Sequence, residues 1–183
     1  MQVFLIRHPR PLIEAGVCYG QLDIDAEDPL PIAARLRPLL PAGVALFSSP
    51  LQRALRLAEA LHAQPLIDSR LMEIGFGDWE GRRWDEIGRS AIDAWAADVL
   101  HFAPPGGESA ARLQRRVAEF ADFATTLPGG AVALVTHSGV MRALLGHWLE
   151  LPPGEWSQLR FDFGRLTLIE FAGGKACLRY TNR

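Results

Sequence analysis

Val3-Phe4-Leu5-Ile6-Arg7-His8-Pro9-Arg10-Pro11 is more informative about this fold than any other segment of the chain. Its first four residues are apolar, and a short run of this kind is typical of a strand buried on both faces of a sheet. The prolines end the strand, because proline cannot donate to a sheet ladder. Arg7 and His8 are therefore predicted at the carboxyl end of a central strand, the edge where open α/β sheets bind ligands. An arginine beside a histidine there suggests an anion site; a surface loop holding two cations is the alternative.

Two further apolar runs end in the same way. Residues 44–47 lead into a helix in which Ser49 is the predicted N-cap and Arg53 lies in the first turn, off the buried face. Residues 131–135 lead into His137 and a predicted helix over 141–149. Alternating strands and helices predict a parallel sheet, so the three strand ends are expected to meet at one edge.

Two guanidinium groups and two imidazoles converging at one sheet edge describe a phosphate pocket, because arginine matches phosphate oxygens bidentately. The four side chains are Arg7, His8, Arg53 and His137. A Zn²⁺ site built from the two histidines and a carboxylate is the chemical alternative, but the neighbouring arginine cations would repel the metal. Glu73 is one of three carboxylates in a glycine- and aromatic-rich loop over residues 71–81.

The composition favours one globular domain over residues 1–183. The net charge of −2, with both signs interspersed, argues against nucleic acid as the main partner. No apolar run reaches the roughly 18 residues of a membrane span, and the N-terminus has no signal-peptide pattern, so the expected location is cytoplasmic. Cys18 and Cys177 form no CxxC motif and are expected to be reduced thiols, with Cys177 on a core strand.

The remaining elements follow from spacing and turn residues. Helices are predicted over 31–40, over 84–100 and from Ser109 onward, the last with a solvated face that carries Arg112, Arg115 and Arg116. Strands are predicted over 64–71, 159–163, 166–171 and 176–180, the last two as a hairpin around Gly173-Gly174.

Four motifs, in this order, resemble the histidine phosphatase (phosphoglycerate mutase-like) superfamily. They are Arg7-His8, Ser49-Pro50-Leu51-Gln52-Arg53-Ala54, Glu73 within 71–81, and Thr136-His137-Ser138-Gly139. The resemblance implies a three-layer α/β/α sandwich with a mostly parallel central sheet. Within the superfamily, Cys18-Tyr19-Gly20 and residues 75–81 and 105–109 look most like α-ribazole phosphatases of cobalamin synthesis.

The resemblance also implies a metal-independent phosphomonoesterase that needs no cofactor. His8 would become phosphohistidine, while Arg7, Arg53 and His137 would hold the phosphate and stabilise its charge. Glu73 would protonate the leaving alkoxide and then activate water. The partner would be a small phosphomonoester such as α-ribazole 5′-phosphate. Phosphoglycerate mutase-type transfer and a non-catalytic phosphate-binding module are the alternatives.

Two departures from the superfamily's usual pattern bear on the substrate. Pro9 and Arg10 replace Gly-Glu, so a base stands in place of an acid at the rim of the pocket, which would suit a more anionic substrate. Glu14 occupies a position where many members carry an asparagine phosphate ligand, so either the loop is rearranged or this ligand is absent. We expect Trp79, Trp84 and Trp95 to pack in the core. The alternative is that they stack on a nucleoside-like base of the substrate.

Overall fold

The computed structural model describes residues 1–156 and 158–183, which contain six strands and six α-helices. The strands are β1 (Gln2–Arg7), β2 (Ala45–Ser48), β3 (Leu66–Ile67), β4 (Ala131–Thr136), β5 (Leu166–Ala172) and β6 (Lys175–Tyr180). The helices are α1 (Pro29–Leu36), α2 (Gln52–Leu61), α3 (Arg89–Ala97), α4 (Ala110–Thr125), α5 (Ser138–Trp148) and α6 (Pro153–Trp156). Within these two ranges no helix combines the length and the apolar character that crossing a bilayer requires.

The strands form one sheet in the order β3-β2-β4-β1-β5-β6. The first four of these run parallel, and β5 and β6 continue the sheet in antiparallel pairs beyond β1. The register between β1 and β4 places Arg7 opposite Thr136. The mostly parallel sheet confirms the predicted fold class.

Alternate residues of β1 face opposite sides of the sheet, as the pleat of a strand requires. Val3 and Leu5 belong to one core cluster with buried residues of α4 and α5, whereas Phe4 and Ile6 belong to another with buried residues of α1 and α2. Helices therefore cover both faces, which makes the architecture the predicted α/β/α sandwich.

The predicted strand over 159–163 is wrong. This segment is irregular because its backbone bonds with side chains instead of with a neighbouring strand. The Asp162 N–H donates to the Asn182 side chain at 2.7 Å, and the Leu159 carbonyl accepts from Arg142 at 3.0 Å. The segment thereby brings aromatic residues to the edge of the sheet that carries the histidines.

Two further strand predictions need correction. Of residues 64–71 only β3 pairs with β2, because the Asp68 side chain accepts from the Arg70 N–H at 2.9 Å and starts a 3₁₀ turn. Cys177 is exposed and not in the core, because β6 is the edge of the sheet and its alternate residues face outward. The predicted hairpin between β5 and β6 is confirmed.

The helices lie where the spacing predicts them, with shifted ends. α1 ends at Leu36 and passes into a 3₁₀ turn that contains Pro38, which has no N–H for an α-helical bond. α3 begins only after Gly88, whose φ of +98° does not fit a helix interior. α5 begins at Ser138, before the predicted start, and this leaves His137 as its N-cap residue.

Candidate active site

The sheet brings the two predicted site histidines together. β1 and β4 are parallel neighbours, and the residues that follow them are His8 and His137. The His8 N–H donates to the Thr136 carbonyl at 3.0 Å, and the centroids of the two imidazole rings lie 4.9 Å apart. Only 1% of His8 and 0% of His137 is exposed, so a group bound against the two rings would be shielded from bulk water.

Arg7 is held by the irregular segment that precedes β5. Its Nη1 donates to the Phe161 carbonyl at 2.5 Å, and its guanidinium carbon lies 3.6 Å from the centroid of the Phe163 ring. The same ring lies 5.4 Å from the His8 ring. Phe163 therefore packs against both groups. Sequence reasoning missed it, because a segment interpreted as a strand contains no sign of this contact.

Arg53 enters the site from the first turn of α2. It is only 1% exposed, which corrects its predicted place off the buried face. Nη1 donates to the Leu22 carbonyl at 2.8 Å and Nη2 to the Gly20 carbonyl at 2.5 Å. The long loop over residues 12–28 thus folds across the start of α2 and buries the guanidinium. The Tyr19 ring of this loop lies 5.3 Å from that guanidinium.

Ser49 is not the N-cap of α2, contrary to the prediction. The Asp23 carboxylate takes part of that role and accepts from the Gln52 N–H at 2.8 Å. Ser49 Oγ instead lies 2.8 Å from Nε2 of His137 and accepts from the Leu51 N–H at 3.3 Å. Because Oγ already accepts one hydrogen bond, its own proton is available for Nε2, which would place the proton of the neutral ring on Nδ1.

Glu73 lies against the first turn of α5. Its Oε2 accepts from the Gly139 N–H at 3.2 Å, and its Oε1 accepts from the Ile74 N–H at 3.0 Å. A Cβ atom at position 139 would lie 2.2 Å from Oε1, so this close approach requires glycine. The positive end of the α5 dipole therefore faces the Glu73 carboxyl group.

Arg116 of α4 supports the backbone of Glu73. Its guanidinium pairs with Glu108 through hydrogen bonds of 2.6 and 3.2 Å. It also donates to the carbonyls of Arg70 at 2.8 Å and Glu73 at 3.0 Å. The prediction that Arg116 belongs to a solvated face is wrong, because Glu108 in the turn before α4 supplies a half-buried partner.

Burial lowers the pKa of both site histidines well below its ordinary value. For His8 the second cause is the positive charge of Arg53, and for His137 it is the neighbouring imidazole of His8. Both rings are therefore neutral at neutral pH. Burial also lowers the pKa of Arg7 and Arg53, and the negative charge of Glu73 opposes that effect.

Three buried nitrogen atoms of the site have no hydrogen-bond partner in the described part of the chain. They are Nε of Arg7, Nε of Arg53 and Nδ1 of His137. Buried donors without acceptors are rare and cost free energy. An oxyanion between them would supply the missing acceptors, so the arrangement is suited to a phosphate group.

The alternative of a metal site has little support in the geometry. Over residues 1–156 and 158–183, no three side chains of histidine, cysteine, aspartate or glutamate lie close enough to share an ion. His8 and His137 have arginines as their charged neighbours.

The loop after β1 is arranged so that Glu14 lies outside the site. Glu14 is 74% exposed and pairs with Arg83 at 2.5 Å. An isolated β-bridge between Val17 and Arg83 fixes the same loop. Arg10 lies 5.1 Å from the Phe163 ring and 3.7 Å from Glu27, with 65% of its side chain exposed. A cation thus occupies the rim, as expected, and the Glu14 carboxylate is held at the surface.

Trp79, Trp84 and Trp95 form one aromatic cluster. Trp84 and Trp95 stack with centroids 5.9 Å apart, and Trp79, which is 3% exposed, packs edge-on against both. Trp79 is a core residue, whereas Trp84 also borders the cavity beside Glu73. Cys18 packs in the same cluster, where burial and the charge of Glu80 raise its pKa to about 12. Its thiol is therefore not a nucleophile at neutral pH.

Comparison with known proteins agrees with this geometry. A family model described as the histidine phosphatase superfamily (branch 1) matches residues 3–183. The chain is 32% identical to glucosyl-3-phosphoglycerate phosphatase of Mycolicibacterium vanbaalenii over an alignment of 195 positions, which covers 94% of this chain and 84% of the relative. The α-ribazole phosphatase of Shigella flexneri superposes with a TM-score of 0.88 at 26% identity, covering 100% and 96% of the two chains. A mycobacterial glucosyl-3-phosphoglycerate phosphatase in complex with inorganic phosphate superposes with a TM-score of 0.83 at 26% identity, covering 100% and 97%.

Proposed function

We propose that the chain, which belongs to the histidine phosphatase superfamily, is a metal-independent phosphomonoesterase that works through a phosphohistidine on His8. One observation carries the proposal: His8 is buried beside three nitrogen atoms, contributed by Arg7, Arg53 and His137, for which residues 1–156 and 158–183 supply no hydrogen-bond partner. A phosphoryl group among them would be held by charge-assisted hydrogen bonds in a site shielded from water, where such bonds are strongest.

The surroundings of His8 select which ring nitrogen attacks. Nδ1 lies 2.6 Å from the Pro9 carbonyl, and because a carbonyl oxygen only accepts, the ring proton belongs on Nδ1. Nε2 then keeps its lone pair, and the lowered pKa of His8 keeps that nitrogen unprotonated at neutral pH. In the first step Nε2 forms a bond to phosphorus while the bond between phosphorus and the ester oxygen breaks.

The cations stabilise the charge on the transferring group. Arg7 and Arg53 are already fixed by backbone carbonyls, so they need little reorganisation when the phosphate binds. The hydroxyl of Ser49 directs the proton of His137 toward Nδ1, which makes this atom a donor to a phosphate oxygen.

Glu73 serves both halves of the reaction. It passes to the leaving ester oxygen a proton that arrives with the phosphomonoester monoanion, and in the second step its carboxylate takes a proton from water. The water oxygen bonds to phosphorus as the bond to Nε2 breaks, which releases inorganic phosphate and free His8. Gly139 and Arg116 fix Glu73 for both steps, through its carboxylate and its carbonyl respectively.

The relatives point to a small phosphorylated metabolite as substrate. One is named for a phosphoglycerate derivative and another for α-ribazole. We therefore place α-ribazole 5′-phosphate and phosphoglycerate-type esters first among the substrates to be tested. Phosphoglycerate mutase-type transfer and phosphate binding without turnover are distinct outcomes of the same test.

The test is phosphate release in the presence of EDTA by wild type, His8→Ala and the control His101→Ala, which changes an exposed histidine. The substrates are p-nitrophenyl phosphate, α-ribazole 5′-phosphate and 3-phosphoglycerate. We expect wild type and control to turn over equally, and His8→Ala to lose more than about 10³-fold in rate, as removal of a nucleophile does. Wild type quenched during turnover should carry an acid-labile phosphate that His8→Ala lacks.

Three results would contradict the proposal. Turnover that EDTA abolishes would indicate a metal-dependent reaction. Formation of a phosphorylated product without free phosphate would indicate a mutase. Phosphate binding with no turnover of any substrate would indicate a binding module.

A further inference from the structure

A cavity of about 220 Å³ opens beside Glu73. Gly139 and Tyr19 line it near the phosphate site, and Trp84 and Arg142 also border it. If Glu73 protonates the leaving oxygen, as the proposed function requires, the leaving group must lie on the Glu73 side of the phosphate. This cavity is therefore the space that receives the leaving group, and the inference below rests on the proposed function.

Arg142 is the cation of this cavity. It lies on α5, is half-buried, and its Nε donates to the Leu159 carbonyl at 3.0 Å, which fixes the guanidinium plane. Among the described residues, neither terminal amino group of Arg142 has a hydrogen-bond acceptor, and no carboxylate lies within the 4.0 Å of an ion pair. Glu73 borders the same cavity, and its negative charge partly opposes the lowering of the Arg142 pKa by burial, but the two side chains do not form an ion pair.

Arg116 shows that a half-buried arginine of this protein can have a full set of partners. Arg116 is also half-buried, but Glu108 binds it bidentately and two carbonyls accept from it. A partly desolvated cation without a directly paired counter-ion costs free energy, which an anionic ligand in contact with it would recover. Arg7 and Arg53 already serve the phosphate, so the anion suited to Arg142 is a second one, carried by the leaving group.

The size of the cavity and the shape of the guanidinium narrow the chemistry of that anion. Pockets for drug-sized ligands span roughly 300–1,000 Å³, so this smaller cavity is suited to a leaving group of a few carbon atoms. The planar guanidinium fork matches a carboxylate bidentately. We infer that Arg142 binds a carboxylate on the leaving group, so that the preferred substrate is a small phosphorylated hydroxy acid.

The test uses two pairs of substrates that differ mainly in the carboxylate. O-phosphoserine is compared with phosphoethanolamine, and 3-phosphoglycerate with glycerol 3-phosphate. The measured quantity is the ratio of kcat/KM within each pair, because a general loss of activity cancels in that ratio. In wild type we expect the carboxylate to raise kcat/KM by about tenfold to a hundredfold, the range for a charge-assisted contact.

Three variants assign that preference to Arg142. Arg142→Gln should bring both ratios close to one, and Arg142→Lys, which keeps the charge, should retain part of the preference. Arg115→Gln removes the same charge from an exposed position on α4 outside this cavity and should leave the ratios unchanged.

The outcomes separate the inference from the proposed function. Wild type that hydrolyses p-nitrophenyl phosphate but shows ratios near one overturns the inference alone, and this result does not depend on any variant folding. Ratios that survive in a folded Arg142→Gln protein also overturn it. Wild type that releases phosphate from no monoester overturns the proposed function, and the inference with it.

Discussion

Gly139→Ala tests how closely the position of Glu73 is tied to catalysis. The added Cβ would lie 2.2 Å from Oε1 of Glu73, and real Cβ atoms do not approach such a neighbour within 3.0 Å, so the oxygen must withdraw by about 0.8 Å. That movement strains or breaks the 3.0 Å bond from the Ile74 N–H and the 3.2 Å bond from position 139. A displacement of about 1 Å in a reacting group costs on the order of 100-fold in rate.

The same substitution should change stability little, because its two effects oppose each other. Position 139 is the second residue of α5, so alanine gains only part of the about 0.8–1.0 kcal/mol by which it is favoured over glycine in a helix interior. A lost hydrogen bond costs about 1 kcal/mol, and the clash involves only the end of a flexible side chain. The melting temperature should therefore stay within a few degrees of wild type while kcat/KM falls by about two orders of magnitude.

The assay is kcat/KM for p-nitrophenyl phosphate together with thermal unfolding. Gly154→Ala is the matched control, because a Cβ at that position meets nothing within 4 Å and the glycine needs no positive φ. A Gly139→Ala protein that keeps its activity within about threefold of wild type would refute the placement of Glu73 as the acid and base. A loss of activity matched by a large loss of stability would refute the argument from opposed effects.

Two further predictions concern the histidines. Ser49→Ala removes the hydroxyl that faces Nε2 of His137, so we expect kcat to fall by about tenfold or more. The control Ser90→Ala changes an exposed serine and should leave kcat unchanged. Equal kcat values for the two variants would contradict the proposed orientation of His137. Folding lowers the pKa of His8 and His137 from 6.5, so just below pH 6.5 only the unfolded chain takes up their protons. The free energy of unfolding should therefore decrease as the pH decreases, by up to ~1.4 kcal/mol per pH unit for each histidine. Thermal unfolding between pH 7.5 and 5 should show a shallower slope for His8→Gln than for wild type, and identical slopes would contradict the burial of a neutral His8.

The fold was predictable because its signals are local and repeated. Buried strands appear as apolar runs, and residues 2–7 and 131–136 follow that pattern closely. Alternation with amphipathic helices then predicts the parallel sheet and the meeting of strand ends at one edge. The errors occurred where side chains compete for backbone groups, as Asn182 does at Asp162 and Asp68 does at Arg70. Such partners are distant in sequence or replace a regular ladder, so no periodicity reveals them.

The sequence predicted which side chains the fold brings together at the candidate site, but not the contacts that support them. Arg7, His8 and His137 follow from strand ends and from the resemblance. The burial of Arg53 depends on a loop that folds back from residues 20–22, and the fixing of Glu73 depends on glycine at position 139. Both are contacts between segments far apart in the chain, and a single sequence does not encode them in any local pattern.

The buried charges of the site carry an electrostatic cost that a bound oxyanion would recover. Two guanidiniums and two imidazoles are buried together, which lowers the pKa of each, and three of their nitrogen atoms have no acceptor among the described residues. Backbone carbonyls hold Arg7 and Arg53 in place but satisfy only part of their donors. A tetrahedral oxyanion can supply several acceptors at once, and it gains more from fixed donors than from mobile ones because little reorganisation remains to oppose binding. The same rigidity favours the charge distribution of the transferring phosphoryl group, so the fixed and buried donors are the source of the proposed catalytic power.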